Sequence, residues 1–121
     1  MAIQNWSDEI TVVELGEEPQ FTDELNSVMD SLEEKASHVI LNFAAIGFVN
    51  SSNVARLLRL RKQLLAAHRR LVLSNVNTQV WGVFLVTGLD KIFEFTNDIS
   101  TALATLQMAS PAKNGEKKKR D

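Results

Sequence analysis

The stretch VILNFAAIGFVNSSNVARLLRLRKQL, residues 39–64, decides the fold. Its first part, with the preceding His38, is an unbroken apolar run (HVILNF), the mark of a strand covered on both faces. AAIGFVNSSN then carries the chain out of the sheet, and a helix is expected from about Ser51 to Ala67. On a wheel of about 100° per residue, Val54, Leu57, Leu58, Leu60, Leu64, Leu65 and Ala67 fill one side and Arg56, Arg59, Lys62 and Gln63 the other. Arg61 lands on the apolar side, where it is expected to lay its stem over the sheet and extend its head to water. Leu60 is expected to face partly outward, open to a partner or a second copy. Asn50 is placed as N-cap, leaving Ser51 and Ser52 on the first turn, where unpaired backbone N–H groups face solvent and favour anions.

Outward from this unit, the chain alternates strand and helix. Ile10, Val12, Val13 and Leu15 read as a strand closing at Gly16, with a short strand at Ile3–Trp6 before it. GEEPQF (16–21) reads as a loop, and Thr22 as N-cap of a helix with Leu25, Val28, Met29 and Leu32 on its inner face, fading near Ala36. RRLVLSNV (69–76) is another apolar strand, TQVWGVFLVTG (78–88) a helix ended by Gly88, KIFEF (91–95) a short strand, and DISTALATLQM (98–108) a last helix capped by Asp98. The fold class is α/β: one layered domain, a mixed sheet of four to five strands packed with about four helices. Residues 1–110 form the domain, and 111–121 a disordered basic tail.

Composition sets bounds on function. The chain has 121 residues, 45% hydrophobic and 23% charged, a size that supports its own core. It has no Cys, which excludes thiol chemistry and Cys-based metal sites. Its two His, His38 and His68, have no clustered carboxylate at ligand spacing, so no metal and no cofactor are expected. No phosphate-loop glycine spacing and no GxSxG elbow occur, and the protein is read as a non-enzyme. Neither a signal peptide nor a spanning helix is expected, which points to a soluble cytoplasmic protein without membrane contact. The net charge of −2 divides along the chain: residues 1–34 carry ten acids and no Lys or Arg, whereas residues 35–91 carry eight basic residues against Asp90 alone. The tail KNGEKKKRD supplies +3 and leaves residues 1–112 at −5. Two electrostatic faces favour a charged protein partner, and the acidic domain argues against direct nucleic-acid binding.

VILNFAAIGFVNSSNVARLLRLRKQL, LVLSNV (71–76), the Val86-Thr87-Gly88-Leu89-Asp90 turn and DISTAL together resemble a STAS domain, the module of anti-sigma factor antagonists, over about residues 8–107. In that family a hydrophobic-Asp-Ser-Ser/Thr-Gly motif precedes a helix, and the serine after Asp is phosphorylated by a partner that is both anti-sigma factor and kinase. Val49-Asn50-Ser51-Ser52-Asn53 matches that stretch. The resemblance therefore implies Ser51 as phosphoacceptor and Asn50, Ser51, Ser52, Asn53, Arg56 and Arg59 as the partner-binding set. It further implies an anti-sigma factor with serine kinase activity as partner, in a switch that sequesters this factor until Ser51 is modified. Asn50 stands where the family has Asp, Asn53 where it has Gly, and Pro19 where its GELD segment has Asp. These departures suit a second reading, an unphosphorylated interaction module of a stress-signalling or transport complex. Oligomeric state is left open.

Overall fold

The computed structural model describes residues 3–109. Along the chain run β1 (Ile3–Asn5), β2 (Ile10–Glu14), α1 (Gln20–Glu34), β3 (His38–Asn42), α2 (Ser51–Ala66), β4 (Leu71–Ser74), α3 (Thr78–Thr87), a 3-10 turn at Leu89–Lys91, β5 (Glu94–Thr96) and α4 (Ile99–Ala109). The strands form one sheet in sequence order, with β1 antiparallel to β2 and all later neighbours parallel. This is the mixed α/β sheet expected from the sequence. The basic tail, residues 111–121, lies outside the described residues.

Strand periodicity sorts the apolar residues into two layers. Val13, Leu41 and Leu73 lie in register across β2, β3 and β4 and pack with α1, α2 and α3 through Leu25, Leu57 and Phe84. Val12, Ile40 and Val72, the adjacent row, meet Ala102 and Leu106 of α4 on the opposite face. Val39, Ile40 and Leu41 are therefore all fully buried, which is why β3 reads as a continuous apolar run. Successive parallel strands stepping in one direction keep α1, α2 and α3 on one side, as right-handed crossovers require.

Several local expectations need correction. Helix α1 begins at Gln20 with Pro19 at the cap position, not at a Thr22 cap. The Glu18 carboxylate supplies the capping acceptor instead, taking the Thr22 N–H at 3.1 Å and its hydroxyl at 2.8 Å. Leu60 does not face outward: it is fully buried. The inner stripe of α2 is Asn53, Leu57, Leu60 and Leu64, at helical spacing, whereas Leu58 and Leu65 sit beyond its edge and are exposed. Arg61 does not simply reach water, since its Nε donates to the Ile92 carbonyl at 3.1 Å. The last strand starts three residues later than expected, because Gly88 caps α3 at φ 76° and the chain makes a 3-10 turn before pairing.

At the opposite end of the strands, His38 Nδ1 accepts the Arg70 N–H at 3.0 Å. Burial, then the charges of Arg69 and Arg70, push the His38 pKa below its ordinary value, against the weaker pull of Glu9 and Glu94. A depressed base binds its proton better in the unfolded chain, so stability is full above about pH 6.5 and falls as pH drops from there towards the folded pKa. Urea unfolding at pH 7.5 and 5.5 should therefore show a larger acid-side loss for the native chain than for His38→Gln, and equal losses would contradict this.

Candidate functional site

Three loops meet at the carboxyl ends of the parallel strands, the usual place for a site in such sheets. The loop after β3 is anchored by Ile46 and Val49, both buried, while Phe48 between them is 65% exposed. Its backbone is held from both sides. Glu17, in the loop after β2, accepts the Gly47 N–H at 3.0 Å, and Asn77, after β4, donates to the Ile46 carbonyl at 3.0 Å. Asn42, at the end of β3, accepts from the Ala44 N–H at 2.9 Å and from the Asn75 amide at 3.0 Å. A loop with so many fixed backbone groups presents α2 in a defined position.

Asn50 caps α2 as its sequence position implies, with its Oδ1 accepting the Asn53 N–H at 2.8 Å. The Asn53 side chain completes the box by accepting the Asn50 N–H at 2.9 Å. Two carboxamides here do what Ser and Glu do in the commoner capping box. Ser51 and Ser52 follow, both exposed, and their N–H groups have no partner within the helix by geometry. The first turn of α2 carries no acidic residue.

Of the residues expected to bind a partner, Asn50, Ser51, Ser52 and Arg59 lie on the surface, and Arg56 is half-buried. Asn53 does not share that surface. It is 3% exposed and turns inward, its Nδ2 donating to Glu18 Oε2 at 2.7 Å, so it positions the loops rather than offering itself to a partner. The Glu18 carboxyl is held below its ordinary pKa first by the Thr22 hydroxyl; desolvation is the next-largest effect and opposes it, and the Thr22 N–H, the Asn53 amide and the charge of Arg56 add to the lowering. An ionised carboxylate thus braces the start of α2.

Glu18 and Phe48 are the site residues that sequence reasoning missed. Glu18 belongs to GEEP, a segment without periodicity, and the only hint was that Pro19 displaced the carboxylate of the similar family segment. Phe48 is an aromatic in a largely apolar segment, a residue type more often found in a core. A weak signal lay in its position between Ile46 and Val49, since an extended loop anchored on both sides must turn the intervening residue out.

Asn50→Ala is expected to cost about 1 kcal/mol of stability through the lost cap. Asn50→Asp, which keeps the acceptor, should stay within about 0.5 kcal/mol of the native chain in urea unfolding.

A family model for the STAS domain matches residues 7–102. The chain belongs to the STAS domain family. Solved structures with the same fold include an anti-sigma-factor antagonist (STAS) domain protein from Planctomyces limnophilus, at 17% identity and a TM-score of 0.74, covering 87% of this chain and 97% of that one. The Bacillus cell fate determinant SpoIIAA in the phosphorylated form is 21% identical with a TM-score of 0.67, over 86% and 96%. A sulfate transporter family protein from Wolinella succinogenes is 20% identical with a TM-score of 0.69, over 83% and 84%. No curated protein sequence matches significantly. At such identities the structural likeness speaks for the fold. In this STAS domain, no group of three or more His, Asp or Glu among the described residues could hold a metal ion, and no described helix is long and apolar enough to cross a membrane.

Proposed function

We propose that this STAS domain is an anti-sigma factor antagonist, a cytoplasmic protein-binding switch whose partner is an anti-sigma factor with serine kinase activity and whose phosphoacceptor is Ser51. The observation that carries the reading is the exposed Ser51 side chain on the first turn of α2, beside the exposed Phe48. Unmodified, the patch of Phe48, Asn50, Ser51, Ser52 and Arg59 docks on the anti-sigma factor and withdraws it from its sigma factor. Phe48 contributes apolar area, and Arg59 a charge that steers an acidic surface.

Phosphorylation adds a charge of about −1.5 to −2 to the middle of that patch. The helix N-terminus accommodates the phosphate, so the domain stays folded. Docking is what fails, because a buried anion without a partner charge costs a few kcal/mol and each 1.4 kcal/mol is about tenfold in affinity. Glu18, ionised and bound to Asn53, adds like charge behind the helix start.

A second reading, a constitutively unphosphorylated module of a stress-signalling or transport complex, is favoured by the capping box. The Asn50 carboxamide stands where the similar motif has a carboxylate and is already committed to Asn53. Incubation with the cognate anti-sigma kinase and Mg-ATP, read by intact mass, separates the two. The switch gives a gain of about 80 Da that disappears in Ser51→Ala. No gain with retained binding would establish the constitutive module, and a gain that persists in Ser51→Ala would move the phosphoacceptor elsewhere.

A further inference from the structure

At the far end of α2 from Ser51, about 24 Å along a helix of 16 residues, the chain brings three arginines to one small pocket. His68, at φ 59°, turns the chain after α2, and the Arg69 N–H returns to the Leu64 carbonyl at 2.8 Å. Arg61, Arg69 and Arg70 then line a cavity of about 150 Å³ over buried Leu64 and Leu71. Glu94 is the one carboxylate in its wall, and Arg70 takes both of its oxygens, with Nε to Oε2 at 2.9 Å and Nη2 to Oε1. Two guanidinium charges are left without a carboxylate in the pocket.

The Arg69 Nε is buried and has no hydrogen-bond partner. Leaving a buried donor unpaired is costly, and a charged one more so, which makes such an atom a pointer to a missing acceptor. Stabilisation of the α2 dipole by arginines near its C-terminus accounts for positive charge there, but not for the unpaired N–H. The Arg56 Nε is likewise unpartnered, yet it has the Glu18 carboxylate near it to balance its charge, whereas the carboxylate near Arg69 is engaged by Arg70. Arg61 is fixed at the rim by its bond to the Ile92 carbonyl.

We propose that this pocket is a second site, separate from the Ser51 surface, that binds a compact tetrahedral dianion such as phosphate or sulfate. A dianion matches the two uncompensated guanidiniums, where a single carboxylate would leave one unmet. A pocket of about 150 Å³ has room for such an oxyanion with residual hydration.

The test is a titration of the isotope-labelled full chain with sodium sulfate, sodium phosphate and sodium acetate, each against sodium chloride at equal ionic strength, followed by amide NMR. Sulfate and phosphate should give saturable shifts centred on residues 68–71 and 92–94. Acetate should give only the drift seen with chloride. Binding should be about tenfold weaker in Arg69→Gln, with Arg61→Gln as the second variant should the first fail to fold. Drift identical to chloride, saturation unchanged in both variants, acetate saturating as tightly as sulfate, or saturable shifts centred on Ser51 and Ser52 would each overturn the assignment.

Discussion

Ser51→Asp is expected to weaken binding of the anti-sigma partner by about a hundredfold or more while leaving the domain folded. A hundredfold corresponds to about 2.7 kcal/mol, within the range for an unmatched charge at the centre of an interface. The side chain projects from the first turn of α2 and no acidic residue shares that turn, so the added carboxylate meets solvent in the free domain and a partner surface in the complex. In the free domain it sits at the positive end of the helix and is favourable by about 0.3–1 kcal/mol, so thermal stability should hold or rise. Ser51→Ala removes a hydroxyl that lies in solvent and should bind as the native chain does, without responding to the kinase. Calorimetric titration of the three proteins into the partner measures both effects. Equal affinity for Ser51→Asp and the native chain would place Ser51 outside the contact surface, whatever its modification state. Salt strengthens the discrimination: exposed charges are screened beyond about 8 Å at physiological ionic strength, so a loss that persists in high salt reports a charge buried on docking rather than one merely repelled.

The parts of this molecule that could be read from sequence are those whose structure follows from neighbours along the chain. The β3–α2 unit is one: the apolar run of β3 reflects layers on both faces, and Asn50 caps α2 through a contact three residues away. What escaped reading depends on contacts across the sheet. Asn53 looks like an exposed polar residue on a helix first turn. Its burial comes from Glu18, 35 positions earlier, whose own place is set by Thr22 and by the approach of the loop after β2. The sequence leaves the facing of Leu60 open because the apolar side of α2 is wider than the stripe it buries. Which leucines fall inside that stripe is decided by the packing of α1 and the sheet, and Leu58 and Leu65 are the ones left out. The same reasoning applies to the arginine pocket, whose members come from α2, the turn after it and β5, and share no local pattern.

Phe84→Ala should be the most damaging single truncation outside the central strands, at about 3–5 kcal/mol. Helix α3 buries only Val80 and Phe84, so the ring is its main attachment to the domain. Phe84 meets Phe93 with centroids 5.6 Å apart and Phe95 at 5.2 Å, both edge-on, and Trp81 adds a contact to Phe95 at 4.8 Å. Because β5 is a three-residue edge strand paired only with β4, those rings hold the strand as well as the helix. A domain of this size should lose about 10–20 °C in Tm, whereas Phe84→Leu, which keeps apolar volume and gives up ring geometry, should lose less than half as much. The effect ought to reach the Ser51 surface, since Asn77 both caps α3 and holds the Ile46 carbonyl of the loop that carries Phe48. Partner binding by Phe84→Ala, measured well below its lowered Tm, should then fall by more than the unfolded fraction explains. Affinity that tracks the folded fraction alone would mean that the loop after β3 keeps its position through Glu17 and Asn42 without help from α3.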